Sequence, residues 1–112
     1  MMQVNHKMDT LIEQLGDLRK RGFNTEFKAE KGYLLAAGSD KKYTPADVKI
    51  VEHHRFEGES SADDMSVVYA IEADDGTKGA IVNSFGIYSN PVIDEFIKKI
   101  EEHQYKQLDE IK

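Results

Sequence analysis

The stretch that decides the fold runs from Val48 to Ile100 and contains VKIVEHHRF (48–56), MSVVYAIEA (65–73), TKGAIVNSF (77–85) and SNPVIDEFIKKI (89–100). The first three segments are rich in β-branched and apolar residues and are separated by turn-forming runs, the pattern of consecutive strands. The fourth opens with Asn90 as a helix cap and Pro91 at the first helical position, then lays Val92, Ile93, Phe96, Ile97 and Ile100 along one stripe. Together they predict a three-stranded antiparallel meander over 48–85, followed by a helix over 90–103 that packs back onto it, with a frayed tail over 104–112.

The turns set a register. Asp74-Asp75-Gly76 fits a three-residue hairpin loop with glycine in the left-handed position, which places Ala73 opposite Thr77. Symmetrical closure of the loop Glu57–Asp64 would place Phe56 opposite Met65. One face then carries the rows Lys49–Glu72–Lys78, Val51–Ala70–Ala80, His53–Val68–Val82 and Arg55–Ser66–Ser84. The first of these alternates in charge, as cross-strand neighbours should. The other, bulkier face carries Val48–Ala73–Thr77, Ile50–Ile71–Gly79, Glu52–Tyr69–Ile81, His54–Val67–Asn83 and Phe56–Met65–Phe85. Both faces are apolar at their centres, so both need a cover. The small-residue face suits a helix; the bulkier one requires the N-terminal helix, the connector or a second subunit.

Working outward, Met8, Leu11, Ile12, Leu15 and Leu18 recur at helical spacing and predict an amphipathic helix over about 6–21. Asp17 and Arg21 form a favourable i,i+4 pair, and Gly22 follows as a C-terminal cap. A hairpin is expected over about 23–37, turning at Glu30-Lys31-Gly32. In the connector after it, Thr44-Pro45-Ala46-Asp47 has the form of a capping box and predicts one helical turn.

Composition narrows the function classes. A chain of 112 residues is the size of a single domain. Its net charge of −6 argues against a nucleic-acid partner, which needs clustered cations, and against an anionic membrane surface. No apolar run approaches the length of a transmembrane helix. The first residues lack the apolar core of a secretory signal, and there are no cysteines. A cytoplasmic protein is the expectation.

Candidate chemistry is sparse. The loop Glu57–Asp64 holds four carboxylates in eight residues, but without the spacing of a calcium loop it reads as a solvated turn. His53 and His54 are adjacent in a strand and point to opposite faces, so they cannot share a metal ion. The register brings Glu52, His54, Tyr69 and Asn83 to the bulkier face. A carboxylate beside an imidazole, with a phenol and an amide in reach, can bind a small polar ligand or move a proton. These four are the candidate ligand-binding residues. No catalytic nucleophile, metal ligand set or cofactor signature accompanies them: GxxxxGK[ST], GxGxxG, GxSxG and HExxH are all missing from the chain.

The words RFEGES (55–60), DMS (64–66), YAIE (69–72) and Asp75-Gly76, with YTPADVKIVE (43–52) and LRKRGFNTEF (18–27), resemble a family of short uncharacterised bacterial proteins of about this length. Some members are labelled phosphoribosyl pyrophosphate synthetases, which implies ATP- and magnesium-dependent chemistry on ribose 5-phosphate. The phosphate loop of such proteins has a counterpart only in Glu72-Ala73-Asp74-Asp75-Gly76-Thr77, and there a strand follows where a helix N-terminus should hold phosphate.

The sequence therefore predicts an α+β domain over 1–112. An antiparallel sheet of four to five strands, the hairpin plus the meander, would carry N-terminal and C-terminal helices. The leading functional expectation is a non-enzymatic binding or interaction module without cofactor, able to form a homodimer through the bulkier sheet face, where Gly79 would permit close approach. A ligand-binding domain or small enzyme built on the four residues is the alternative, and phosphoribosyl or nucleotide chemistry a further one.

Overall fold

A computed structural model of the chain describes residues 11–56, 66–84 and 89–111, with side chains as far as Gln104. The expected helix residues 6–10, the acidic loop 57–64, and Met65 and Phe85 lie outside the described residues.

Helix α1 spans Leu11–Lys20. It ends where predicted: Gly22 adopts φ +103°, Phe23 N–H donates to the Leu18 carbonyl at 2.9 Å, and Gly22 N–H donates to Arg19 at 3.1 Å. This paired closure turns Phe23 back under the helix. The hairpin follows as β1 (Thr25–Glu30) and β2 (Tyr33–Ala36). A two-residue strand, β3 (Lys42–Tyr43), lies inside the expected connector. The predicted helical turn is a 3₁₀ turn at Pro45–Asp47, where the Asp47 carboxylate accepts from Thr44 N–H at 2.9 Å. The meander is β4 (Val48–Phe56), β5 (Ser66–Ala73) and β6 (Lys78–Ser84). Helix α2 spans Pro91–Ile111. It starts at the predicted cap, with Val92 N–H donating to Asn90 Oδ1 at 2.9 Å, but continues through the residues expected to fray from 104 onward.

The class is α+β, and the sheet corrects the expectation in two respects. Among the described residues it has six strands in the order β3-β2-β1-β6-β5-β4, and it is mixed: β1 and β6 run parallel at Thr25↔Gly79 and Glu26↔Ala80. The missed strand β3 is too short to show periodicity, and it is held by Tyr43, a buried ring set edge-on to Phe27 at 5.9 Å. The parallel pair joins hairpin to meander through a long-range contact that no local pattern encodes. Gly79 serves this junction. A Cβ there would collide with the Thr25 carbonyl oxygen and the Phe27 ring, so the close approach it permits is to β1, not to a second subunit.

Helices cover both faces. Leu18 and Phe23 of the α1 region pack with Val68 and Ala70 on the small-residue face, flanked by Leu11, Leu15, Phe56, Ala80 and Val82. Ile93, Phe96, Ile97 and Ile100 of α2 pack with Ile71, Ile81, Val48 and the hairpin residues Phe27 and Leu34 on the bulkier face. Each fully buried side chain of this kind contributes about 1.5–3 kcal/mol through removal from water. The surface expected to receive a second copy is thus occupied by α2. On α1 the inward stripe is Gln14 and Leu18, both buried, with Leu11 and Leu15 partly buried, whereas Ile12, expected in the core, is 81% exposed.

The β5–β6 register is as derived, from Glu72↔Lys78 to Ser66↔Ser84. The β4–β5 register is as derived only from Val48↔Ala73 to Ile50↔Ile71. At Val51 the ladder shifts by one: Glu52 pairs with Ala70, His53 with Tyr69, His54 with Val68 and Phe56 with Ser66. Val51 is the extra residue of a β-bulge, 45% exposed and without a strand partner.

Candidate functional site

The bulge divides the four residues assigned to one face. Side chains alternate along a strand, so a one-residue slip carries Glu52 and His54 to the α1 side while Tyr69 and Asn83 remain on the α2 side. The structure brings Glu52 to His54, and Tyr69 near Asn83, but keeps the two pairs on opposite faces of the sheet. Each pair acquires other partners.

On the α1 side, Glu52 and His54 are two residues apart on β4 and so share a face. His54 Nε2 lies 2.7 Å from Glu52 Oε1. Arg21, just past the C-terminal end of α1, donates from Nη1 to Glu52 Oε2 at 2.7 Å and from Nε to Asp17 at 3.0 Å. The Arg21 hydrogen bond holds the Glu52 carboxyl below its ordinary pKa, against the opposing effect of burial, and His54 adds to the lowering. The same contact raises Arg21. Gln14, only 4% exposed, lines this recess of about 590 Å³ with Asp17, Arg21, Glu52, His54 and Phe56.

On the α2 side, His53 faces Tyr69 across the ladder, with ring centroids 6.0 Å apart and planes tilted by 36°. Asn83 is 5% exposed and ties β6 to the start of α2: its amide donates to Asp94 at 2.7 Å and its oxygen accepts from Asn90 N–H at 2.9 Å. Burial pushes the Tyr69 phenol up, and the carboxylates of Glu101 and Asp94 push it further. A recess of about 380 Å³ lies among His53, Arg55, Tyr69, Asn83, Asp94 and Glu101.

The chemistry open to these groups is limited. A carboxylate bonded to an imidazole is the orienting half of a general base, but among the described residues no hydroxyl or thiol side chain lines the recess beside it. Asn83 is committed to the helix start on both of its polar atoms. Among the described residues, no three metal-ligating side chains gather into a possible ion site, and no helix is long and apolar enough to cross a membrane. The turn at Glu72–Thr77 is also committed. Asp75 accepts from Lys41 at 2.5 Å, from Tyr43 at 3.0 Å and from Thr77 N–H at 3.0 Å, contacts that hold its carboxyl well below the usual carboxylate range.

Sequence reasoning missed Gln14, His53, Arg55, Asp94 and Glu101 as neighbours of the candidates, and saw Arg21 and Asp17 only as a helix pair. One signal was available. Val48, Ile50 and Val51 break strict alternation, and Phe56 finds apolar company on the α1 side only if a residue between them is extra. No protein-family model, curated protein or solved structure matches the chain, so its function has to be argued from this geometry.

Proposed function

We propose that the chain is a small non-enzymatic cytoplasmic binding module whose recognition surface is the outer edge of β4. The observation that carries this reading is the position of β4: nine residues long, it ends the sheet with one side of its backbone unpaired by any strand among the described residues. Such an edge accepts an extended segment of a partner, the main chain supplying affinity and the flanking side chains selectivity. α2 shields the first half of the edge, where Gln104 accepts from Ile50 N–H at 2.9 Å. The half after the bulge, Glu52–Phe56, presents Glu52 and His54 on one side and His53 and Arg55 on the other. A second copy of the chain would meet this edge rather than the bulkier face. Residue-resolved chemical shifts during a ligand and partner screen test the reading. Changes should gather at residues 51–56, and a response that avoids them would remove it.

The Glu52–His54 contact at 2.7 Å supports a second reading, a ligand-binding or proton-moving site on the α1 side. NMR titration of His54 in the presence of small polar ligands distinguishes it, since an imidazole indifferent to every ligand leaves it unsupported. The resemblance to bacterial proteins labelled as phosphoribosyl enzymes predicts shift changes at residues 72–79 on adding nucleotide with magnesium. The structural bonds of Asp75 weigh against that outcome.

A further inference from the structure

The parallel junction between β1 and β6 ends after two residues, Thr25↔Gly79 and Glu26↔Ala80, although each strand continues beyond it. Between their diverging ends lies a cavity of about 350 Å³ that reaches Leu15, Arg19 and Phe23 on the α1 side and Ile81, Asn90 and Ile93 on the α2 side. The sheet is split here, and the opening falls in the lower part of the range of ligand cavities, about 300–1,000 Å³.

The lips of the split are main chain. Ala37 N–H donates to the Glu26 carbonyl at 2.9 Å, so Glu26 and Lys28 turn their backbone groups to β2, and Phe27 and Ala29 turn theirs to the gap. Counted from the Ala73–Thr77 bond of 2.8 Å, the same alternation turns Val82 away from β5 and into the gap. In a parallel ladder the rung Glu26↔Ala80 uses Phe27 N–H, and it is the last one. Among the described residues, the Phe27 carbonyl and both backbone groups of Ala29 and Val82 are left without a ladder partner. Half-buried backbone groups of this kind need hydrogen-bond partners, and another extended chain can supply them.

The side chains around the split differ by face. Lys28 shares the α1 side with Arg19, which is exposed and makes no ion pair among the described residues. Lys28 reaches Glu30 at 3.8 Å. Glu26 is on that side too, at the closed end where the strands still pair. On the α2 side the wall is Phe27, Ile81 and Ile93, all buried.

We infer that the split between β1 and β6 binds an extended peptide segment of alternating character, acidic residues turned to Arg19 and Lys28 and apolar residues to Phe27, Ile81 and Ile93. The site is separate from the β4 edge. The probe is an acetylated, amidated hexapeptide alternating Glu and Val, titrated into the isotope-labelled full chain, with a Lys-and-Val hexapeptide as control. The Glu peptide should produce saturable shifts at the Ala29 and Val82 amides, and these should exchange freely without peptide and be protected with it. Arg19→Glu and Lys28→Glu, both at exposed positions, should each weaken binding about tenfold, and the Lys peptide should fail to bind. Protection of Ala29 and Val82 in the free chain, no response up to millimolar peptide, or equal binding of the Lys peptide overturns the proposal. Shifts confined to residues 51–56 would overturn it as well, and would credit the edge strand instead.

Discussion

The two halves of the meander obey different rules. Between β5 and β6 a three-residue turn dictates every pair, because Gly76 at φ +92° and the Thr77–Asp75 bond at 3.0 Å leave the strands one way to leave the turn. Between β4 and β5 the connection is long and the pairing is set from the far end, by Val48–Ile50 against Ile71–Ala73, then slips at Val51. A tight turn propagates its register by geometry alone. A long loop leaves register to packing, and here Phe56 on the α1 side and Val48 and Ile50 on the α2 side are reconciled by one extra residue.

The largest effect is expected where the pinned half meets the hairpin. Gly79→Val places a side chain into the Thr25 carbonyl and the Phe27 ring, and should cost about 3 kcal/mol or more through forced separation of β1 from β6. Denaturant unfolding measures this, and a loss under 1 kcal/mol would mean that the junction is not rigid. Next is Asn83→Ala, which orphans Asn90 N–H at the start of α2 and removes the Asp94 bond. A cost of about 1–3 kcal/mol is expected from unfolding curves, with fast hydrogen exchange at the Asn90 amide.

What the sequence made legible follows the same division. Capping at Gly22, Asn90 and Thr44, the hairpin glycines, and the whole β5–β6 register were read from local chemistry, because each involves residues within a few positions of one another. The parallel contact of Thr25 with Gly79 was not, because it joins residues over fifty positions apart with no turn between them to constrain it. The site failed for a narrower reason. Tyr69 was expected opposite Glu52, and His54 and Asn83 on either side of Val67, but the face common to all four depended on Val51 taking a place in the ladder. One unpaired residue was enough to divide a four-residue cluster into two.

That dependence can be tested directly by deleting Val51. The partners on either side, Ile50↔Ile71 and Glu52↔Ala70, would then follow in regular alternation, with Ile50 still toward α2 and Glu52 still toward α1. The deletion should therefore be tolerated at a cost of about 1 kcal/mol, with the Arg21–Glu52 contact preserved in nuclear Overhauser spectra. If instead Glu52 or His54 came to lie near Asn83, the bulge would not be what separates the pairs.

The smallest effect is expected from the ion pair on the slipped half. Arg21 and Glu52 meet at 2.7 Å, but the arginine side chain is 43% exposed, so solvent screens the pair and coupling should stay at or below about 1 kcal/mol at neutral pH. A double-mutant cycle of Arg21→Ala with Glu52→Gln measures it. Its pH dependence has a definite sign. The folded chain holds the Glu52 pKa below the ordinary 4.5, so the contribution is fully present above that value and disappears as pH falls through the depressed folded pKa. Wild type and Arg21→Ala should converge in stability under acid. A coupling that persisted after Glu52 was protonated would show that Arg21 acts there through packing, its guanidinium lying 5.9 Å from the centre of the Phe23 ring, rather than through charge.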